Sequence, residues 1–159
     1  MSIRPTGAVI LCAPVMLATA VTASPASAAA PSLPNPCHLL TSAEIVGALH
    51  PSTTQATMSH TTYSAGTPTE TKLCTWKFGT LTVTVDVYNK SGGSGGAPSK
   101  TTPEPTLGPD GKFVQSASPQ FQFCYISYKR HAHYVEIHVN RNEPAKPMVK
   151  LGKDAYSRT

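Results

Sequence analysis

The sequence predicts an α+β domain, a small antiparallel sheet of about four strands in two hairpins with one or two helices packed on one face. Two segments with alternating apolar residues predict the hairpins, because a period of two is that of a strand with one buried face. A capping-box pattern from Thr41 to Glu44 predicts a helix ahead of them. Each element follows from its own residues, taken here in chain order.

The first 28 residues predict a secretory signal peptide. Arg4 precedes an apolar run over residues 7–23, and Ala26-Ser27-Ala28 supplies the small-residue cleavage site. The run is shorter than the roughly 20 residues of a spanning helix, and Pro14 interrupts it. We therefore expect a secreted protein, at the cell surface or in the medium, without a transmembrane segment once the signal is removed.

Length and charge limit the number of domains and the kind of partner. Removing 28 residues from 159 leaves 131, which predicts one domain over residues 37–159 behind an extended, Pro-rich lead-in over residues 29–36. Loss of Arg4 leaves 12 basic and 8 acidic side chains, a formal charge of +4. This excess favours anionic surfaces, whereas no Lys/Arg run has the density of a nucleic-acid patch.

Three cysteines remain after removal of the signal. The fourth, Cys12, lies within the signal and follows Leu11, whereas a lipoprotein acceptor cysteine follows a small residue. A lipid anchor is therefore not expected. In an oxidising compartment two of Cys37, Cys74 and Cys124 should pair and one is left over. We favour Cys37–Cys74, which ties the helix start to the sheet, with Cys124 nearby. The leftover thiol is expected to be a buried apolar side chain, the alternatives being an intermolecular link or a reactive site.

The first helix has defined ends. Thr41 is the N-cap, Glu44 can reach back to its amide, and Leu40 with Ile45 forms a hydrophobic staple. Pro51 requires the helix to stop by the residue before it. Eight or nine residues are too few for a stable isolated helix, so this one must pack on another element.

The first hairpin follows residues 51–71, which are Ser/Thr-rich, lack periodicity and predict a loop. Gly79-Thr80 suits a two-residue type II′ turn between two alternating strands. One face of the hairpin is apolar and contains Cys74, Trp76, Phe78, Leu81, Val83, Val85 and Val87. The predicted register pairs Phe78 with Leu81, Trp76 with Val83 and Cys74 with Val85.

The second hairpin comes after a Gly- and Pro-rich stretch that predicts a flexible crossover over residues 89–120. Its strands are 121–128 and 133–140, around a turn at 129–132. The predicted register pairs Tyr128 with His133, Ile126 with Val135 and Cys124 with Ile137. The apolar face consists of Cys124, Ile126, Val135, Ile137 and Val139. A second helix is predicted from Pro147 to about Arg158, although Gly152 weakens its helical propensity.

The opposite face of the second hairpin is the candidate binding site. It carries aromatic and acidic side chains, namely Phe121, Phe123, Tyr125, Tyr134 and Glu136, with His138 beside them. If the helices cover only the other face, these aromatics form an exposed patch of the kind that binds partners. The alternative is that the C-terminal segment or the 89–120 crossover folds over them.

Other chemistry has weaker patterns. His131 and His133 could hold zinc or copper together on one strand face, but His138 has the opposite parity and is a poor third ligand. Cys124 lies among apolar residues where a thiol stays inert. No nucleophile motif or spaced carboxylate pair is present, so we expect no enzymatic activity and no cofactor. Residues 91–119 could form the reactive loop of a protease inhibitor.

Two short patterns resemble one family. Residues 35–41 (Asn-Pro-Cys-His-Leu-Leu-Thr), continuing to Glu44-Ile45 and Ala48-Leu49, resemble the P-C-x-L-L-T-x-x-E signature of an actinobacterial exported and lipoprotein family, catalogued as domain of unknown function 3558. Leu73-Cys74-Thr75-Trp76 resembles its second mark. The resemblance implies a Cys37–Cys74 bond and a core position for Trp76. The chain departs from the family in two ways: it lacks the lipobox of many members, and it has His50 where the family has glycine. The family has no assigned activity, so the resemblance implies none for this chain.

The sequence therefore predicts a secreted, non-catalytic binding module for a protein or envelope component. A secreted protease inhibitor is the first alternative, and a His-dependent metal-binding protein is the second.

Overall fold

One seven-stranded antiparallel sheet carries the fold in the computed structural model, which describes residues 32–89 and 99–159. The predicted signal peptide over residues 1–28 lies outside the described residues. The strands are β1 (Thr57–Tyr63), β2 (Thr71–Phe78), β3 (Leu81–Tyr88), β4 (Ser99–Pro103), β5 (Lys112–Ser116), β6 (Cys124–Arg130) and β7 (His133–Val139). The helices are α1 (Ser42–Leu49) and α2 (Ala145–Tyr156), with 3-10 turns at Pro36–His38 and Pro105–Leu107.

The α+β class is confirmed, and the predicted number of strands is wrong. The strands lie in the order β1-β2-β3-β7-β6-β5-β4, so the two predicted hairpins, β2–β3 and β6–β7, join through β3 and β7 at the centre. β1 lies in the segment predicted to be loop, and β4 and β5 lie in the segment predicted to be crossover. All seven residues of β1 are exposed, which explains why it shows no apolar alternation.

The register of the first hairpin is confirmed at Phe78–Leu81, Trp76–Val83 and Cys74–Val85. The register of the second hairpin is wrong by two residues. Tyr128 pairs with Val135, Ile126 with Ile137 and Cys124 with Val139, because β6 continues to Arg130 and only His131-Ala132 form the turn. A shift of two keeps every side chain on its predicted face, since side chains alternate with a period of two.

One face of the sheet holds the core. The apolar residues of β2, β3, β6 and β7 lie there in one cluster with Ile45 and Leu49 of α1 and with Met148, Leu151 and Ala155 of α2. Gly152 of α2 faces this core, where a Cβ added at Gly152 would lie 2.8 Å from Leu107 Cδ1. Among the described residues, no helix is long and apolar enough to cross a membrane.

The capping box of α1 is confirmed. The Thr41 amide donates to Glu44 Oε2 at 2.8 Å, and the Glu44 amide donates to Thr41 Oγ1 at 3.3 Å. Arg158, just beyond α2, donates to Leu39 O at 2.8 Å and pairs with Glu44. The hydrogen bond from Arg158 lowers the pKa of Glu44 to about 2, so the end of the chain is tied to the start of α1.

The Cys37–Cys74 disulfide is present and joins the first 3-10 turn to β2, with 5.1 Å between the Cα atoms. Cys124 is a free, buried thiol that donates to Arg141 O at 3.4 Å. Burial raises the pKa of the Cys124 thiol to about 11, so it stays protonated at neutral pH.

Candidate functional site

The candidate site lies at the centre of the sheet, on the face opposite the core. β3, β7 and β6 are neighbours, and their alternate residues point away from the helices. Asp86 lies directly opposite Glu136, and Tyr88 lies opposite Tyr134. On the other side of β7, Tyr125 lies opposite His138. We call these six residues the sheet-face cluster: Asp86, Tyr88, Tyr125, Tyr134, Glu136 and His138.

An imidazole lies between the two carboxylates of this cluster. His138 Nε2 lies 3.0 Å from Glu136 Oε2 and 3.6 Å from Asp86 Oδ2. The other Asp86 oxygen, Oδ1, is buried and has no hydrogen-bond partner among the described residues. Two carboxylates in directly opposite sheet positions repel each other, and His138 offsets that repulsion when it is protonated.

The two carboxyl groups differ in proton affinity. Burial raises the pKa of Asp86 to about 6, His138 opposes this shift, and the charge of Glu136 adds to it. Burial would also raise the pKa of Glu136, but hydrogen bonds from His138 and Tyr88 outweigh it, and the net shift is downward. Near neutral pH this part of the face therefore holds an ionised Glu136 beside a carboxyl group that takes up a proton only slightly below neutrality.

Aromatic rings flank the carboxylates. The Tyr88 and Tyr134 rings stack with centroids 5.7 Å apart, and Lys129 Nζ lies 5.3 Å from the Tyr134 centroid. The Tyr125 ring lies 4.9 Å from that of His138. The hydroxyl of Tyr88 donates to Glu136, and burial together with this bond raises the Tyr88 pKa. Tyr88 is therefore a neutral donor, and the three tyrosine rings supply flat contact surfaces.

The sequence-predicted site residues are only partly together. Tyr125, Tyr134 and Glu136 share the face as their parity predicts. Phe121 and Phe123 precede β6, and the Phe123 carbonyl accepts from the Ser116 amide at 2.9 Å. Phe121 is 65% exposed, whereas Tyr125 and Glu136 are each only 7% exposed. The half-buried Tyr88, Tyr134 and His138 therefore contribute more accessible side chain to this face than Tyr125 does.

Of the two predicted covers, the C-terminal helix is not found over this face, but part of the face is buried, because Val114 and its partner Tyr125 are only 2% and 7% exposed although they lie outside the core cluster. The C-terminal helix α2 packs in the core on the opposite face, and β4 with β5 extends the sheet sideways. Over residues 32–89 and 99–159, the sheet-face cluster thus has no helix or second sheet above it.

The histidine pair of the metal alternative is split. His131 is an exposed turn residue with φ 53°, not a strand residue, while His133 begins β7. His133 Nδ1 lies 2.9 Å from Asn89 Oδ1, and burial followed by the charge of His131 lowers the His133 pKa. Within the described parts of the chain, no three His, Cys, Asp or Glu side chains are placed to hold a metal ion.

A groove of about 940 Å³ lies elsewhere, between the end of α1 and the start of α2. Its floor is apolar, with Ala48, Leu49 and Val149, and its rim carries three lysines and three acids: Lys146, Lys150, Lys153, Glu104, Glu143 and Asp154. Lys150 and Asp154 are paired at 2.7 Å. The rim has no net formal charge to select a ligand, so we place the candidate site on the sheet-face cluster instead.

Sequence reasoning placed His138 beside the predicted site residues but missed Asp86 and Tyr88 as members of the same cluster. Asp86 and Tyr88 belong to the first hairpin and His138 to the second, and only the pairing of β3 with β7 brings them together. One signal was available, because Asp86 is an acid in the middle of a Val/Thr strand. Such a residue is rare in a central strand unless a partner balances it.

The chain matches no protein-family model, no curated protein and no solved structure.

Proposed function

We propose that this protein is a secreted, non-catalytic binding module that recognises a protein or cell-envelope component through the sheet-face cluster. The observation that carries the proposal is the stacked Tyr88–Tyr134 pair beside the Asp86–Glu136 carboxylates, on a face that the described helices leave uncovered. Aromatic rings next to buried polar groups are typical of interface centres, where the rings supply contact area and the polar groups supply orientation.

The chemistry of the cluster favours a ligand that donates hydrogen bonds. Asp86 Oδ1 is a buried acceptor without a described partner, and since 23% of the Asp86 side chain is exposed, an N–H or O–H group of a ligand would satisfy this oxygen once the carboxyl group turns it outward. Glu136 accepts from His138 and Tyr88, so it holds the neighbouring side chains in place. Because these contacts already occupy the polar atoms beside Asp86, recognition fits the cluster better than turnover does.

Export is part of the proposal. The predicted signal peptide, the Cys37–Cys74 disulfide and the resemblance to the actinobacterial exported family with number 3558 all support it. The inhibitor and metal alternatives have no comparable support, because residues 99–103 and 112–116 are paired strands and His131 is separated from the strand that holds His133.

The test is affinity capture with the full secreted chain and its disulfide intact. Immobilised protein is exposed to envelope extract and culture supernatant of the source organism, in parallel with Tyr134→Ser and with Tyr63→Ser, which removes an exposed tyrosine at the edge of the sheet. We expect a component that wild type and Tyr63→Ser retain and that Tyr134→Ser loses by at least about tenfold.

Thermal unfolding of each variant is the control for folding. Equal retention by a folded Tyr134→Ser protein would contradict the placement of the site. Retention of no component above the unfolded, reduced chain would contradict the binding function itself.

A further inference from the structure

One connection of the fold joins two strands that are far apart in the sheet. β3 ends at Tyr88, beside Tyr134 near the start of β7. β4 begins at Ser99, beside Ser116 at the end of β5. Because β5, β6 and β7 pair antiparallel in turn, Tyr88 lies level with the end of β6 and Ser99 lies level with its start. The connection between them, which includes residues 90–98 outside the described residues, therefore joins opposite ends of the sheet across three strands.

The length of this connection limits its path. Four strand spacings of about 4.8 Å separate β3 from β4, which is about 19 Å across the sheet. Tyr88 and Ser99 also differ by about six residues in their level along β6, which is about 20 Å. The diagonal between them is thus about 28 Å. Ser99 is eleven residues after Tyr88, so a fully extended connection spans about 36–40 Å and can cover the diagonal.

Two other paths do not fit this length or this fold. On one face of the sheet, the core cluster with α1 and α2 fills the space beside β3, β7 and β6. A path past the end of the sheet and then along β4 needs the two sides of the same triangle, about 39 Å, which leaves no length for its turns. The face opposite the core, which holds the sheet-face cluster, is the face that the connection can cross.

Buried side chains lie along the same diagonal on that face. Four residues are at most 7% exposed although they point away from the core, and they run from β7 through β6 to β5: Glu136, Ser127, Tyr125 and Val114. We call these four residues the buried diagonal. Their neighbours off the diagonal are more accessible, since Lys129 and Thr101 are exposed and His138 is half-buried. The connection from β5 to β6, residues 117–123, is itself exposed over most of its length and does not account for this burial.

The composition of the connection suits contact with the buried diagonal. Residues 91–96 are Ser-Gly-Gly-Ser-Gly-Gly, and without large side chains this backbone can lie close to Tyr125 and Val114. Lys90 is the one charged residue of the segment 90–98. Its charge is opposite to that of Glu136 on β7, the strand next to the end of β3. Composition, length and strand order therefore agree on the same contact.

We propose that residues 90–98 cross the sheet on the face opposite the core and pack on the buried diagonal. Part of the sheet face is then a contact surface for the chain itself. The members of the sheet-face cluster beside this contact, such as Tyr134 and His138, remain accessible to a partner. The inference does not depend on the proposed function, because it rests on strand order, chain length and burial.

The experiment is disulfide formation between two introduced cysteines in the full secreted chain. Residues 93–95 are midway along the connection, so they should lie over β6, the middle strand of the crossing. Gly93→Cys, Ser94→Cys and Gly95→Cys are each combined with Ser127→Cys, because successive side chains point in different directions. We expect at least one combination to form the intramolecular disulfide in more than about half of the molecules, which requires Cα atoms within about 7 Å. Peptide mass spectrometry identifies the bond.

Two matched controls keep the same cysteines in the connection. Lys77→Cys places the second cysteine on the same face but on β2, beyond β3, and His131→Cys places it at the turn past the end of β6. Both positions are exposed, whereas Ser127 is 4% exposed, so random encounter would favour the controls.

Three results would overturn the proposal. A bond to His131→Cys in place of Ser127→Cys would show a path past the end of the sheet. Bonding to Lys77→Cys that equals bonding to Ser127→Cys would show that the connection has no defined contact on this face. Absence of any bond to Ser127→Cys, in variants that thermal unfolding shows to be folded, would exclude the crossing over β6.

Discussion

At the scale of single residues, two carboxylates in directly opposite sheet positions are unfavourable unless a proton or a cation lies between them. Asp86 and Glu136 form such a pair, and His138 Nε2 lies within 3.6 Å of one oxygen of each. The unfavourable free energy of ionisation falls on Asp86, because burial raises the pKa of Asp86 from 3.8 to about 6, whereas the net shift of the Glu136 pKa is downward. The cluster therefore reduces the stability of the fold above the pKa of Asp86.

The pH dependence follows from the sign of this shift. A raised pKa means that the folded chain binds the Asp86 proton more tightly than the unfolded chain, so the free energy of unfolding falls as pH rises from about 4 to about 6. Asp86→Asn should remove that loss and should stabilise the protein by about 1–3 kcal/mol more at pH 8 than at pH 4. Urea unfolding at both pH values measures the difference.

The control is Asp110→Asn, which changes an exposed carboxylate. It should shift the free energy of unfolding by less than about 0.5 kcal/mol at either pH. A stabilisation by Asp86→Asn that is equal at both pH values would show that its ionisation carries no cost.

The candidate site could be predicted only in part at this scale. Parity along β6 and β7 places Tyr125, Tyr134 and Glu136 on one face, because alternation is a local property of the chain. Asp86 joins them through the pairing of β3 with β7. This pairing depends on contacts between residues about 50 positions apart, so no local sequence pattern predicts it.

At the scale of secondary-structure elements, the two helices use glycine for different reasons. Gly152 lies within α2, where an added Cβ would meet Leu107 Cδ1 at 2.8 Å and Ile126 Cδ1 at 3.2 Å, both on fully buried side chains. Gly47 lies within α1 and has no atom within 4 Å of an added Cβ. An alanine substitution at each position therefore measures a different effect on stability, close packing at Gly152 and helical propensity at Gly47.

Gly152→Ala should lower the free energy of unfolding by about 1–2 kcal/mol, because overpacking the contact of α2 with the sheet outweighs the gain in helical propensity. Gly47→Ala should raise it by about 0.5–1 kcal/mol, because only the gain applies there. Denaturant unfolding of both variants measures the two effects. A stabilising Gly152→Ala would contradict the close packing of α2 on Ile126.

The elements that the sequence predicts well are those whose signals are local. Capping residues define α1, and a two-residue Gly turn fixes the register of β2 with β3. Both faces of β1 are exposed to solvent, so its sequence has no alternation of apolar and polar residues to detect. The two-residue error between β6 and β7 has a tertiary cause, because Arg130 extends β6 while it stacks 4.3 Å from the Tyr156 ring and donates to the Tyr156 carbonyl of α2.

At the scale of the whole molecule, the disulfide and the free thiol together test whether the domain unfolds as one cooperative unit. The Cys37–Cys74 bond closes a loop of 37 residues, and on the chain-entropy model its loss costs about 3–4 kcal/mol. Cys124 is fully buried on β6, near the middle of the sheet, so a labelling reagent reaches it only when the domain opens.

The double variant Cys37→Ser/Cys74→Ser tests this coupling. It leaves Cys124 as the thiol of the folded domain and should lower the free energy of unfolding by about 3–4 kcal/mol. If labelling requires global opening, the alkylation rate of Cys124 should rise by the same free energy, a factor on the order of 10²–10³. Loss of stability without faster labelling would mean that Cys124 is reached through a local opening, and that the β6 region and the disulfide-linked β2 region do not unfold as one cooperative unit.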